Sequence, residues 1–211
     1  MGKIKAVIFD MDGVLIDARD WHYEALNRAL SLFGYRISRY DHLVTYDGLP
    51  TRRKLEMLTR ERGLPSPLHG FLNDLKQQYT MEIVHAKCKP VFQHEYALSN
   101  LKARGYQLAV ASNSVRNSIE VMMEKSNLSG YLDVVMSNQD VVNGKPDPEI
   151  YLKTITKLGL KPNECLVVED NDNGIRAARA AGASLMIVSS IYDVSLENIL
   201  QAIQQQEAIE A

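Results

Sequence analysis

Lys5-Ala6-Val7-Ile8-Phe9-Asp10-Met11-Asp12-Gly13-Val14 passes from an apolar run of strand length straight into a carboxylate-rich turn. The run Lys5 to Phe9 suits a strand covered on both faces, since strands of a parallel sheet carry apolar residues on both sides instead of alternating with polar ones. Runs of the same character recur at Gln107 to Ala111, Asp133 to Met136, Cys165 to Val168 and Ser184 to Val188, with helical patterns between them. Helices are marked by their ends: one stops at Gly105, another closes at Leu158 before Gly159, and an alanine-rich one runs from about Asn173 to Ala181 before Gly182. The expected fold is α/β, a doubly wound, Rossmann-like core with a parallel sheet.

The interval between the first two strands is the irregular one. Almost a hundred residues separate Asp10 from Gln107, where a βαβ unit needs roughly thirty. Ala25, Leu26, Ala29, Leu30 and Phe33 lie on one face of a helix that ends at Gly34. Leu55 and Leu58, then Phe71, Leu72, Leu75 and Tyr79, predict two more helices on either side of a breaker from Gly63 to Pro67. A helical domain over 17–89, Asp17 to Lys89, is therefore expected as an insertion into an α/β core made of 1–16 and 90–211.

Composition narrows the classes of function. The chain has 211 residues, 45% apolar and 24% charged, which is ordinary for a globular protein and excludes disorder as its main state. Its 24 basic and 26 acidic residues leave a net charge of -2, so nothing global favours nucleic acid or an anionic membrane. Cys88 and Cys165 are too few for a disulfide framework and too far apart for a zinc pair, and both read as structural. The apolar run before Asp10 is too short for a secretory signal or a membrane span, and Ala6 stands where a myristoylation signal at Gly2 needs serine or threonine. A full-length, cytoplasmic protein, monomeric or weakly dimeric, is expected.

In an open parallel sheet, ligands bind beyond the carboxyl ends of the strands. Those ends are unusually polar here: Asp10-Met11-Asp12-Gly13-Val14 after the first strand, Ser112-Asn113-Ser114 after the second, and Glu169-Asp170-Asn171 after the fourth. Upstream of the fourth, Gly144-Lys145-Pro146-Asp147-Pro148 sets a lysine in a rigid turn. Carboxylates converging on one crevice repel unless a cation holds them. Hard oxygen ligands, without a histidine or cysteine cluster, favour magnesium.

The order Asp10-x-Asp12-Gly13-Val14, Ser112-Asn113, Lys145-Pro146, Glu169-Asp170, then Gly174-Ile175 and Ala177-Ala178 to Ala181-Gly182, resembles the haloacid dehalogenase superfamily. The helical insert is similar to the cap of the branch that contains β-phosphoglucomutase and phosphoglycolate phosphatase. The resemblance implies that Asp10 attacks phosphorus and forms an aspartyl-phosphate, and that Asp12 protonates the leaving oxygen and then deprotonates water. Ser112 would bond a phosphoryl oxygen, with the Asn113 backbone assisting, and Lys145 would neutralise charge on the transferring group. Mg2+ would lie between Asp10, the Asp12 backbone carbonyl and Asp170, with Glu169 a ligand directly or through a neighbour. Asp12 also speaks against carbon–halogen cleavage, because the dehalogenases of the superfamily lack a carboxylate two residues after the nucleophile.

The cap is expected to choose the substrate. His22 matches the position of a cap histidine in β-phosphoglucomutase, and Gly48-Leu49-Pro50-Thr51-Arg52-Arg53 resembles the cap's specificity loop. Thr51 falls where the mutase carries a phosphate-binding arginine, a role Arg52 could take only if the loop shifts by one. Lys54, Arg60 and Arg62 read as a solvated helix face, and His42, His69, His85 and His94 as residues without a catalytic task. The expected activity is hydrolysis of a small phosphorylated metabolite such as a sugar phosphate, by a phosphoric monoester hydrolase. A phosphomutase is the alternative, and a non-catalytic phosphometabolite-binding protein a minor one.

Overall fold

The structure, a computed structural model, describes residues 4–46 and 48–209. The reading of Gly2 lies outside the described residues. The chain divides into two compact units: Ala18–Cys88 form one, and the described residues on either side form the other.

The larger unit is built on five parallel strands, β1 (Ala6–Phe9), β2 (Gln107–Ala111), β3 (Val134–Met136), β4 (Cys165–Glu169) and β5 (Ser184–Ile187), in the order β3-β2-β1-β4-β5. The order runs outward from β1 to β3 and then crosses to the other side of β1 for β4. The reversal puts a crevice at the carboxyl end of β1, where such sheets bind ligands. Every residue of β1 and β4 is buried, which explains the apolar runs Ala6–Phe9 and Cys165–Val168; the buried Glu169 ends β4. Register places Phe9 level with Val168 and Val110, so Asp10, the first residue past β1, comes level with Glu169, the last residue of β4.

Five helices of this unit are α5 (Phe92–Ala103), α6 (Arg116–Lys125), α7 (Glu149–Lys157), α8 (Asp172–Ala180) and α9 (Leu196–Ile209). Ala177 and Ala178 of α8 and Ile150 and Tyr151 of α7 share one apolar cluster with Ile8 and Val167. The small side chains of α8 let its backbone lie close to β4. A Cβ at Gly174 would collide with the Glu169 carboxylate, so this turn of α8 is seated against a charged group and tolerates no side chain there.

The smaller unit contains α1 (Arg19–Ser31), the short α2 (Arg39–Asp41) with a wider turn at His42–Tyr46, α3 (Thr51–Arg62) and α4 (His69–Lys87). Leu26 and Leu30 of α1, Leu55 and Leu58 of α3 and Leu72 of α4 form its core. The Asn27 amide bonds both the N–H and the carbonyl of Ile37, fixing the chain after α1. Lys54 departs from the solvated face expected of it: it is 8% exposed, while Arg60 and Arg62 are exposed. The reason is helical spacing, because positions 54, 55 and 58 share the buried face of α3. Among the described residues, no helix is long and apolar enough to cross a membrane.

Candidate active site

The loop after β1 is tight. The N–H groups of Val14, Leu15 and Ile16 all donate to the Met11 carbonyl, and Gly13 N–H donates to the Ile16 carbonyl at 2.7 Å. Gly13 sits at φ +92°, in the left-handed region, and a Cβ there would collide with Asp170 Oδ2. Glycine is required twice over, by the backbone turn and by the approach of Asp170.

Lys145 joins the strand ends. Its Nζ donates to Asp10 Oδ1 at 2.6 Å and to Glu169 Oε1 at 2.6 Å, and the lysine is 5% exposed. Burial alone would depress the ammonium, but Asp10 and Glu169 outweigh it and hold its pKa above the ordinary lysine value. Asp10 is pushed well above the usual carboxylate range, first by burial and further by Glu169, Asp12 and Asp170, against the opposing pull of Lys145. One ammonium against four carboxylates leaves the crevice short of positive charge. Single oxygens of Asp10, Glu169 and Asp170 lie within 4.8 Å of one another, so these residues could hold a metal ion.

Glu169 has both oxygens engaged. Oε1 accepts from Lys145 and from the Tyr151 hydroxyl, at 2.5 Å, while Oε2 accepts from the backbone N–H of Asp170 at 3.1 Å and of Asn171 at 3.4 Å. The Lys145 ammonium also lies 4.8 Å from the centre of the Tyr151 ring. The sequence reading missed Tyr151, although it lies on the α7 turn that follows the lysine and carries a hydroxyl among apolar positions.

The turn after β2 completes this side of the crevice. Ser112 is buried, and its N–H donates to the Met136 carbonyl at 3.1 Å. The Asn113 side chain pins the lysine loop: Oδ1 accepts from Lys145 N–H at 3.0 Å, and Nδ2 donates to the Lys145 carbonyl at 3.3 Å. A Cβ at Gly144 would come within 2.7 Å of Asn113 Oδ1, so the pairing requires a bare backbone beside it. Ser114 Oγ donates to Asp12 Oδ2 at 3.0 Å. Asp10, Asp12, Ser112, Asn113, Glu169 and Asp170 at the strand ends, and Lys145 in the loop before α7, thus all belong to one unit.

His22, Thr51 and Arg52 belong to the helical unit. His22 Nδ1 is 3.2 Å from Lys76 Nζ, and Lys76 is 7% exposed. Thr51 is the first residue of α3. The Arg52 side chain is 88% exposed and pairs with Glu56 of its own helix at 3.1 Å.

A buried lysine bridging two carboxylates at parallel strand ends, beside a second Asp two residues after the first, is chemistry suited to a phosphoryl group. The model of the haloacid dehalogenase-like hydrolase family matches residues 7–188. The chain is 31% identical over 200 residues to a phosphorylated carbohydrates phosphatase of Thermotoga maritima, covering 90% of this chain and 88% of the relative. It is 30% identical over 179 residues to a phosphoglycolate phosphatase of Aquifex aeolicus, covering 85% and 82%. The fold is similar to that of a β-phosphoglucomutase from Clostridium difficile, with a TM-score of 0.83 and 22% identity over 97% of this chain and 99% of that one. The chain is an enzyme that belongs to the haloacid dehalogenase-like hydrolase family.

Proposed function

We propose that the protein is a magnesium-dependent phosphatase that hydrolyses a small phosphorylated metabolite, preferentially a sugar phosphate, through an aspartyl-phosphate at Asp10. The observation that carries this reading is the 2.6 Å bond from the buried Lys145 to Asp10, with Asp12 two residues beyond it. The sugar preference is supported by the 31% identity to the Thermotoga maritima phosphatase.

In the first half-reaction the Asp10 carboxylate attacks phosphorus. The bond from phosphorus to the leaving oxygen breaks, its electron pair stays on that oxygen, and the proton of Asp12 joins it to release the alcohol. In the second, water attacks phosphorus, the bond to Asp10 breaks with its electrons returning to the carboxylate, and Asp12 takes the proton of the water. The sum is one ester and one water converted to alcohol and phosphate. Lys145 neutralises Asp10 and the transferring oxygens, and Ser112 with the Asn113 backbone bonds the phosphoryl group. Asp10, Asp170 and the Asp12 carbonyl would hold Mg2+, whose charge offsets that of the phosphoryl oxygens and the clustered carboxylates. Glu169, with four donors on its two oxygens, would act through Lys145 and the Asp170 backbone.

Selection among substrates is assigned to the helical unit, with His22, Thr51 and Arg52 as its candidate contacts. The mutase alternative needs a cation at the position of Thr51, and the threonine there speaks against it. Phosphorylated sugars, nucleotides and glycolytic acids are to be screened with magnesium while free phosphate and isomerised product are followed together. Free phosphate from a sugar phosphate, abolished by Asp10→Asn, is the expected result. Retained turnover by Asp10→Asn would sink the covalent mechanism, and a 6-phosphate formed from a sugar 1-phosphate without free phosphate would make the enzyme a mutase.

A further inference from the structure

Ser114 has no task in the two half-reactions, yet its hydroxyl donates to Asp12 Oδ2 at 3.0 Å across 102 residues of sequence. The serine is itself held from two sides. Its N–H donates to Ser112 Oγ at 3.1 Å, and its carbonyl accepts from Asn138 N–H at 3.1 Å. Asn138 begins a short turn, Asn138–Asp140, that is closed by reciprocal bonds between Ser137 and Asp140. The hydroxyl is therefore fixed to the same turn that carries Ser112, the residue assigned to the phosphoryl group.

We infer that Ser114 is a positioning residue for proton transfer: it anchors Asp12 through Oδ2, so that Oδ1 carries the proton passed to the leaving oxygen and later taken from water. The inference rests on the reading of Asp12 as acid and base given above. An aspartate side chain turns about two single bonds, and proton transfer requires it within about 2.6–3.2 Å of its partner. A hydroxyl on one oxygen restrains that rotation. It can donate to Oδ2 whether or not Oδ1 is protonated, so the anchor persists through both half-reactions. In the first, the proton leaves Oδ1 as the phosphorus–oxygen bond breaks toward the leaving group. In the second, a water proton returns to Oδ1 as the bond to Asp10 breaks.

A purely structural bond would tie the Met11–Ile16 loop to the serine turn and affect all substrates alike. Leaving groups that differ in their need for a proton separate the two roles. p-Nitrophenolate departs readily as an anion, whereas phenolate gains far more from protonation. Single-turnover release of each alcohol is to be measured from p-nitrophenyl phosphate and phenyl phosphate with magnesium. Ser114→Ala should slow phenol release about 10- to 100-fold and p-nitrophenol release less than about 3-fold, a fraction of what a general acid contributes. Ser114→Thr, which keeps the hydroxyl, should restore the phenyl phosphate rate. Equal slowing of both esters, a change in KM alone, or no rescue by threonine would overturn the assignment. If Ser114→Ala does not fold, Ser114→Cys gives the same comparison with a weak donor in place. Asp12→Asn is the separate control: unimpaired phenol release in that variant would overturn the acid–base reading itself, whatever the Ser114 variants do.

Discussion

The Tyr151 hydroxyl donates to Glu169 Oε1 at 2.5 Å, and both residues are almost wholly buried. Burial and the neighbouring carboxylate hold the phenol well above its ordinary pKa, so it stays a donor across the working range. The same carboxylate oxygen receives Lys145, so Tyr151 bears on the lysine that touches the proposed nucleophile. Tyr151→Phe keeps the ring beneath the ammonium and removes only the donor. Loss of one hydrogen bond to a buried charge should destabilise the protein by about 1.5–3 kcal/mol in urea unfolding. Phosphatase activity should fall through kcat more than through KM, since Lys145 is disturbed at the reacting group rather than at a remote contact.

Three glycines offer a graded test of the crevice. Gly13→Ala would drive a methyl into Asp170, and Gly174→Ala would drive one into the Glu169 carboxylate. Gly70, near the start of α4, has open space around it and an ordinary backbone conformation. Gly70→Ala should leave stability unchanged or raise it by up to about 1 kcal/mol. Gly13→Ala should weaken magnesium binding, seen as a smaller rise in Tm on adding Mg2+, because Asp170 must move aside. Gly174→Ala should lower stability even without the metal, because the carboxylate it displaces has four donors fixed around it. Similar behaviour of all three would show that the packing around the carboxylates is not the constraint.

The strands and their polar ends were legible because a parallel sheet needs apolar runs and its ligand site must follow them. Asp10, Ser112 and Glu169 therefore stand out by position, and Lys145 by the rigid turn around it. What stayed hidden were bonds between distant side chains. The Ser114–Asp12 bond, and the Lys145 and Tyr151 donors to Glu169, arise only when β1, β2, β4 and α7 come together. The charge of Lys54 points to solvent, yet its spacing places it with Leu55 and Leu58 on the buried face of α3. Tyr151 is the opposite case, an apolar helical position with an inconspicuous hydroxyl.

Asp140 carries a prediction for acid stability. Its carboxylate accepts from Ser137 N–H at 2.8 Å, from Ser137 Oγ at 2.7 Å and from Arg116 at 2.5 Å. Burial works to raise its pKa, but these bonds prevail and bring it down to about 2. A carboxyl whose folded pKa is depressed stabilises the protein above its unfolded value and loses that contribution as pH falls through the folded one. The window thus runs from the ordinary carboxylate range, near pH 4, down to about pH 2. Asp140→Asn should be less stable at neutral pH and lose less stability across that window, as measured by urea midpoints. An unchanged slope between the two pH values would refute the assignment. The effect on function should be indirect, through the turn that holds the Ser114 carbonyl.

Lys145 links stability to the proposed metal. Removing one partner of a buried ion pair leaves uncompensated charge and typically costs about 3–5 kcal/mol. Lys145→Met leaves Asp10 and Glu169 facing each other without their shared donor. For a chain of this length, such a loss lowers Tm by roughly 6–20 °C. Magnesium brings positive charge to the same carboxylates, so its stabilising effect should be larger in Lys145→Met than in the unaltered protein. Activity should still be lost, because a cation placed for the carboxylates does not replace the donor on Asp10. The decisive measurement is a pair of melting curves for each protein with and without Mg2+. If Mg2+ raises both by the same amount, Lys145 and the metal do not share a charge deficit, and magnesium does not bind beside Asp10 and Asp170.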